Sequence, residues 1–181
     1  MKELSLNILD IAENSVKAKA TLTEISIKET EEELILTITD NGNGMTEEIR
    51  KTVTDPFYTT RTTRKVGMGL PLLKLEAEMT GGQMTVESTH ISENADGHGT
   101  KVCAVFYKNH IDFTPLGDIV ESIATLIQGH PDIDFLFTHK IGEREVALDT
   151  RELRQVLEGV PLNTYDVIKW IKEYLKEQYI N

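Results

Sequence analysis

The sequence predicts an α/β sandwich, a mixed sheet with helices on one face, followed by a small C-terminal α/β appendage. Three observations carry that expectation. A helical stripe opens the chain, strand-like alternations then come in two pairs separated by a helix, and after residues 109–115 the alternation of helix and strand starts again. The chain therefore divides into residues 1–108 and residues 109–181.

Each element has a local reason. Leu4, Ile8, Ile11 and Ala12 recur at a 3.6-residue period, which predicts a helix over 3–18. "LTEISIKE" and "LILTITD" read as strands joined by the acidic turn "TEEE", the second ending at Asp40. "NGNG" is a loop, since glycine and asparagine tolerate the backbone of turns. Thr46 caps a short helix whose first turn holds Glu47 and Glu48, where the helix dipole favours acids. "DPFYTT" breaks it, 59–66 is loop, and Leu70 to Met79 is helical with Gly81 and Gly82 as its stop. "QMTVES" and "TKVCAVFY" are strands across the loop "ENADGHG". Beyond them "PLGDIVESIATLIQG" is an amphipathic helix and "DIDFLFTHK" with "REVALD" a hairpin around Ile141 and Gly142. "TRELRQVLEG" and "TYDVIKWIKEYLKEQ" are two more helices, each opened by a threonine.

Composition narrows the function classes. The chain has 181 residues, 39% hydrophobic and 27% charged, and no apolar run approaches the ~18–20 residues that span a bilayer. A net charge of −11 argues against nucleic acid as the main partner, because that binding rests on basic surface. Acids exceed bases in both parts, 17 to 12 over residues 1–108 and 13 to 7 beyond. Against that background the basic cluster Arg61, Arg64 and Lys65 stands out. The N-terminus has no secretory pattern, and the one cysteine permits no internal disulfide, so a cytoplasmic location is expected. Cys103 lies in the run "VCAVFY" and reads as a buried, inert thiol.

Three constellations carry chemistry. Asp10 and Asn14 are four residues apart and share a helix face, where a carboxylate and a carboxamide can hold a metal ion with its waters. Asp40 stands at a strand end before Gly42 and Gly44, a place where a carboxylate can accept an adenine amine while glycines admit the base. Gly67 and Gly69 precede a helix, whose start offers free N–H groups and a positive dipole to phosphate. Taken singly each is weak: the Gly-x-Gly is neither a Walker loop nor a full dinucleotide fingerprint.

Their order and spacing resemble the GHKL ATPase superfamily, the histidine-kinase-like group that also includes gyrase B and MutL. "DIAENSVKAKA" looks like its N box, "DNGNGM" its first glycine box, "DPFYTT" its F box, "GMGL" its second glycine box, and "GHGTKVCAVF" the Gly-x-Gly-Thr that opens the last strand. The likeness covers residues 1 to about 108. It implies the Bergerat ATP-binding fold, with ATP and Mg²⁺ as cofactors. Carried over residue by residue, Asn14 is the Mg²⁺ ligand and Asp40 binds the adenine amine. Gly42, Gly44 and Met45 shape the pocket, and Thr100 supports the Asp40 side through a hydroxyl or a bridging water. Residues 58–68 form the ATP lid, where Arg61 offsets triphosphate charge, and Gly67, Met68, Gly69 and Leu70 meet the phosphates.

Two departures qualify the likeness. The ATP-hydrolysing branches usually carry Glu four residues before the asparagine, as base toward water. Here it is Asp10, whose shorter side chain can displace the carboxylate by roughly 1 Å, a misplacement that can cost ~10²-fold in rate. Asp10 is therefore either a catalytic base or a helix-face acid near the metal. Secondly, none of His90, His98, His110, His130 and His139 has the context of a phosphoacceptor, and no dimerisation hairpin precedes residue 1, so any kinase activity is expected to act on another protein.

Blander readings stand beside these. Arg61, Arg64 and Lys65 can be a solvated loop, Lys74 is expected in solvent, and Phe57 and Tyr58 are expected to pack under the lid. His130 and His139 lack a third ligand at convincing spacing, so no zinc site is expected. Trp170, Ile171, Tyr174 and Leu175 read as core or as a subunit interface, for instance of a homodimer. The leading expectation is a Mg-ATP phosphotransferase acting on a protein partner. The alternatives are an ATP-gated binding module with little turnover or a slow ATPase, and an ATP-driven clamp ranks last. ATP and a protein are the expected partners, with neither nucleic acid nor membrane.

Overall fold

The computed structural model describes residues 3–55 and 68–181. The opening stripe folds as α1 (Leu4–Lys17) and buries Leu4, Ile8, Ile11 and Ala12. Its N-cap, Glu3, makes no side-chain capping bond. Backbone carbonyls cap it instead: Leu4 N–H donates to Pro115 and Ser5 N–H to Leu116, satisfying donors that a helix start leaves open. Residues 115–117 are therefore loop. The fourth helix is shorter at its start than its sequence pattern suggests, because those carbonyls point at α1 and Asp118 becomes its cap, accepting from Glu121 N–H at 2.9 Å.

β1 (Leu22–Glu29) and β2 (Glu33–Asp40) form an antiparallel hairpin. α2 (Glu47–Thr52) starts at Thr46, whose hydroxyl accepts from Ile49 N–H, and α3 (Gly69–Met79) follows the second gap. β3 (Gln83–Thr89) and β4 (Gly99–Tyr107) pair antiparallel. α4 (Ile119–Gly129) leads to β5 (Asp134–Ile141) and β6 (Arg144–Asp149), then α5 (Thr150–Leu157) and α6 (Tyr165–Ile180). α5 is capped by Asp149 rather than by a threonine. The Thr150 hydroxyl is taken by the sheet, accepting from Phe135 N–H and donating to Asp134, which leaves Asp149 to accept from Arg151 N–H.

All six strands join one mixed sheet in the order β3-β4-β2-β1-β5-β6. Only β1 and β5 run parallel. Residues 109–181, read from the sequence as an appendage, thus extend the sheet of residues 1–108, with Ile25 beside Phe137 in register. Alternate strand positions face the helices: Ile25 and Ile27, Leu36 and Ile38, Val102 and Ala104, Phe135 and Phe137 are each at most 3% exposed. Each large apolar side chain so buried contributes about 1.5–3 kcal/mol, and a one-residue slip would turn the whole set outward. α3, α1, α4 and α6 lie side by side over that face. Cys103 is on the other face and is half-buried, its Sγ accepting from the Thr37 hydroxyl, because the alternation that buries Val102 and Ala104 turns it away from the helices.

Two polar links fix the helical layer. Glu13 on α1 takes His130 Nε2 at 2.9 Å to each carboxylate oxygen, tying α1 to the end of α4. At the other end of the sheet from Asp40, His139 is 2% exposed, with Nε2 at 3.0 Å from Glu29 and Nδ1 at 2.7 Å from the Tyr179 hydroxyl. Lys108 Nζ donates to the other Glu29 oxygen at 2.7 Å. Burial holds the His139 imidazole below its ordinary pKa, against the pull of the Glu29 carboxylate. Burial alone would raise the Glu29 carboxyl, but the bonds from Lys108 and His139 outweigh it and the net shift is downward.

Candidate functional site

A cavity of about 540 Å³ opens between α1 and the end of β2. Its apolar lining comes from Ile11 on α1, Ile38 and Val102 on the sheet, Met45 and Val53 before the gap, and Leu70 on α3. Such walls suit a flat aromatic ring, with the few polar groups left to orient it.

Asp40 supplies the principal one. As the last residue of β2 it lies between Thr23 on β1 and Thr100 on β4, so its backbone is held by both neighbours. Its Oδ1 accepts from Gly42 N–H at 2.8 Å and its Oδ2 from the Ser15 hydroxyl at 2.8 Å. A carboxylate has about four acceptor positions, so two bonds orient Asp40 and leave room for a further donor. Ser15 follows Asn14 on α1 and is 3% exposed.

The loop after β2 is stapled at several points. Asn41 Oδ1 accepts from the N–H groups of Thr21 and Leu22, and Asn43 N–H donates to Ala18 at the end of α1. A His98 ring nitrogen reaches the Gly42 carbonyl. Gly44 has φ +73°, and a Cβ there would stand 2.0 Å from the Thr89 carbonyl oxygen, so the position demands glycine twice over. Met45 N–H donates to Ser88 Oγ at 2.7 Å, and Ser88 Oγ lies 2.8 Å from the Thr100 hydroxyl. Thr100 lines the cavity beside Asp40, but its hydroxyl is engaged by Ser88, and the hydroxyl that reaches Asp40 is that of Ser15.

Asn14, Asp40, Gly44, Met45, Leu70 and Thr100 thus line one space, with Gly42 directly behind Asp40. Asp10, Met68 and Gly69 do not line it. Asp10 instead packs on the start of α3: a Cβ on Gly69 would fall 2.7 Å from Asp10 Oδ2, so glycine lets the first turn of α3 approach the carboxylate. Met68 caps α3 and is 46% exposed. Arg61 and Gly67, with Phe57, Tyr58, Arg64, Lys65 and all but Met68 of the lid expected over 58–68, lie outside the described residues.

Sequence reasoning missed Ser15, Ser88 and His98. Ser15 had a signal, since it sits one residue beyond Asn14 on the same helix, but its link to Asp40 spans 25 residues of chain and needs the fold. Among the described residues no group of three His, Cys, Asp or Glu could hold a metal ion. None of them hydrogen bonds the Asn14 side chain either, and it faces the cavity. No described helix is long and apolar enough to cross a membrane.

A helix-walled, apolar pocket with a braced carboxylate at a strand end, on a mixed sheet covered by helices, is the build of a GHKL-type nucleotide domain. Residues 2–110 match the family described as histidine kinase-, DNA gyrase B-, and HSP90-like ATPase, and the chain belongs to that family. It is similar to sporulation kinase C of Bacillus subtilis (strain 168), at 30% identity over 90 residues, covering 49% of this chain and 20% of that protein. It is also similar to the DNA mismatch repair protein MutL of Listeria monocytogenes serotype 4b (strain F2365), at 26% identity, covering 84% of this chain and 30% of that protein. The chain therefore spans less than a third of either relative. Among solved structures, the Aquifex aeolicus MutL ATPase domain complexed with ADP superposes with a TM-score of 0.53 at 16% identity, covering 87% of this chain and 70% of that one. The N-terminal domain of a DNA repair protein gives 0.56 at 17%, covering 82% and 53%. These two likenesses establish the fold.

Proposed function

We propose that the protein binds Mg-ATP in the cavity beside α1 and transfers the γ-phosphoryl group to a protein partner. The observation that carries the reading is the Asp40 carboxylate, braced by Ser15 and Gly42 at the wall of an apolar cavity of about 540 Å³. In this pose the adenine amine donates to Asp40 and the ring lies between Ile38, Met45 and Val102. The phosphates run toward the first turn of α3, whose free N–H groups and dipole favour anions. Arg61, Gly67 and Gly69 are proposed to make the phosphate contact, Gly69 alone of them being among the described residues.

The Asn14 carboxamide, which faces the cavity without a partner among the described residues, fits an oxygen ligand for Mg²⁺. When bound, the ion would neutralise phosphate charge and hold the phosphates in line. Catalysis in this chemistry is mainly positioning and charge stabilisation. Asp10 is proposed to orient the attacking hydroxyl or imidazole and to accept its proton. Residues 109–181 are proposed to select the partner.

A second reading stands beside it. The kinase relative matches 49% of this chain and the mismatch-repair relative 84%, so the likenesses do not single out phosphoryl transfer. The second reading is an ATP-gated module with slow turnover, in which nucleotide shifts an open–closed equilibrium through differential affinity. The test is binding of a fluorescent ATP analogue, competed with ATP, for wild type, Asp40→Asn and Asn14→Ala. Asp40→Asn is expected to abolish binding and Asn14→Ala to remove its Mg²⁺ dependence. Labelled phosphate moving to a captured protein would favour the kinase reading, and binding without transfer the gated module. If wild type does not bind, or both variants bind as wild type does, the proposal fails.

A further inference from the structure

A second cavity, of about 720 Å³, lies beside α5 and α6 over Leu136, Thr138 and Ala147, which the strand alternation turns away from the face that carries Phe135 and Phe137. Its floor is apolar, from Leu136, Ala147, Leu153, Leu157 and Val167. Val156, 79% exposed, and the stacked pair Trp170 and Tyr174, ring centroids 4.8 Å apart, form its open walls. Ile171 and Leu175 on the same helix are fully buried, so α6 has one face spent on the core and an aromatic face left over.

The charged side chains that line this groove have one sign. Glu145, Asp149, Glu152 and Asp166 line it, and no described basic side chain does. Asp149 is paired with Arg151 at 2.8 Å, whereas Glu145, Glu152 and Asp166 have no ion-pair partner among the described residues. We propose that this groove docks a lysine- or arginine-bearing amphipathic helix of a partner protein. Apolar anchors of that helix at i, i+3, i+4 and i+7 would enter the floor. Its basic residues would meet the three free carboxylates and the aromatic faces of Trp170 and Tyr174.

A strand is the poorer occupant. The outer edge of β6 is closed at Ala147, where the Gln178 side chain accepts from its N–H at 2.9 Å and donates to its carbonyl at 3.0 Å. Recognition must therefore go through side chains, which is how a helix in a groove binds. The site also has a mechanical route to the first cavity, because α6 packs on α4 and α4 on α1, the helix that carries Asn14. The inference gives a chemistry to the protein partner proposed above and rests on that reading only for the partner's being a protein.

The test uses the full chain and a fluorescein-labelled Lys/Leu peptide about five turns long, with leucines on one helical face. Its control has the same composition in strict Leu/Lys alternation. Fluorescence anisotropy at physiological salt is expected to show saturable binding of the first peptide only. Val156→Lys, in a position too exposed to disturb folding, removes an apolar wall and adds a like charge, so it should weaken binding at least about tenfold, and so should Glu152→Lys combined with Asp166→Lys. Glu87→Lys, an exposed charge reversal on β3 at the opposite edge of the sheet, should change it less than about twofold. Equal weakening by Glu87→Lys, no effect of Val156→Lys, or no saturable binding overturns the proposal. So does self-association by sedimentation that Val156→Lys abolishes while the peptide does not compete, since the groove would then seat a second copy. The ATP analogue is titrated in parallel: peptide binding without nucleotide binding overturns the proposed function and leaves the groove, and the converse overturns the groove alone.

Discussion

Replacing Ser15 by Ala removes one donor from Asp40 and alters little else. The Ser15 hydroxyl is 2.8 Å from Asp40 Oδ2, and the residue is 3% exposed in the middle of α1. A hydrogen bond to a charged acceptor contributes about 1.5–3 kcal/mol. Asp40 is half-buried, so in the free protein water can replace the lost donor and folding stability should fall by less than that range. With a nucleotide over the cavity that water has no room, so most of the lower figure should appear as lost affinity. About 1.5 kcal/mol corresponds to roughly a tenfold rise in Kd. In the proposed pose Asp40 accepts the adenine amine, so ATP should lose more than GTP, and any adenine preference should narrow. Competition anisotropy with the fluorescent ATP analogue, beside a urea melt, measures both quantities. A change in Kd below twofold in a normally folded variant would refute the argument that Ser15 sets the Asp40 geometry.

Gly44→Ala should be the more damaging substitution, although it adds a single methyl. The positive φ costs about 1–2 kcal/mol for a residue with a Cβ, and the contact of 2.0 Å with the Thr89 carbonyl forces the loop to move besides. A lowered urea midpoint together with lost nucleotide binding is expected, and an unchanged midpoint would show that the loop has slack. The His139–Glu29–Lys108 cluster predicts a pH dependence of stability. His139 is held below its ordinary value of roughly 6.5, so the unfolded chain binds its proton first and stability falls as pH drops through that value toward the folded one. Glu29, also depressed, continues the loss below the ordinary carboxylate range. Urea midpoints should therefore decline as the pH is lowered from about 8 through the histidine and carboxylate ranges to about 3, and His139→Gln should flatten the upper part of that decline. A His139→Gln profile parallel to wild type would remove His139 as the cause.

The seven elements of residues 1–108, α1 to β4, are legible in the sequence because their cause is local. α1 announces itself by the spacing of Leu4, Ile8, Ile11 and Ala12, and β1 by the alternation of Ile25 and Ile27, since burial on one face imposes those periods on any sequence. Asp40, Gly42 and Gly44 stand out because a strand end and a tight loop demand particular residues, Asn14 because it shares a helix face with Asp10, and Thr100 only because the order of motifs resembles a family's. The errors were equally physical. Pro115 and Leu116 looked like the start of a helix, yet their carbonyls are the cap of α1, more than a hundred residues earlier in the chain. Thr150 looked like a cap and became a sheet ligand, bonded to Phe135 and Asp134.

What the sequence by itself determined, then, is the set of elements and the family, through periodicity and through motifs that a nucleotide pocket requires of its backbone. Only the tertiary structure decided that β5 joins β1 in parallel, that the Ser15 hydroxyl bonds Asp40, and that Trp170 and Tyr174 wall a groove while Ile171 and Leu175 enter the core. Each of these joins residues far apart in the chain. No period or local propensity encodes such a pairing; it follows from which faces remain to be buried once the whole sheet and its helices have come together.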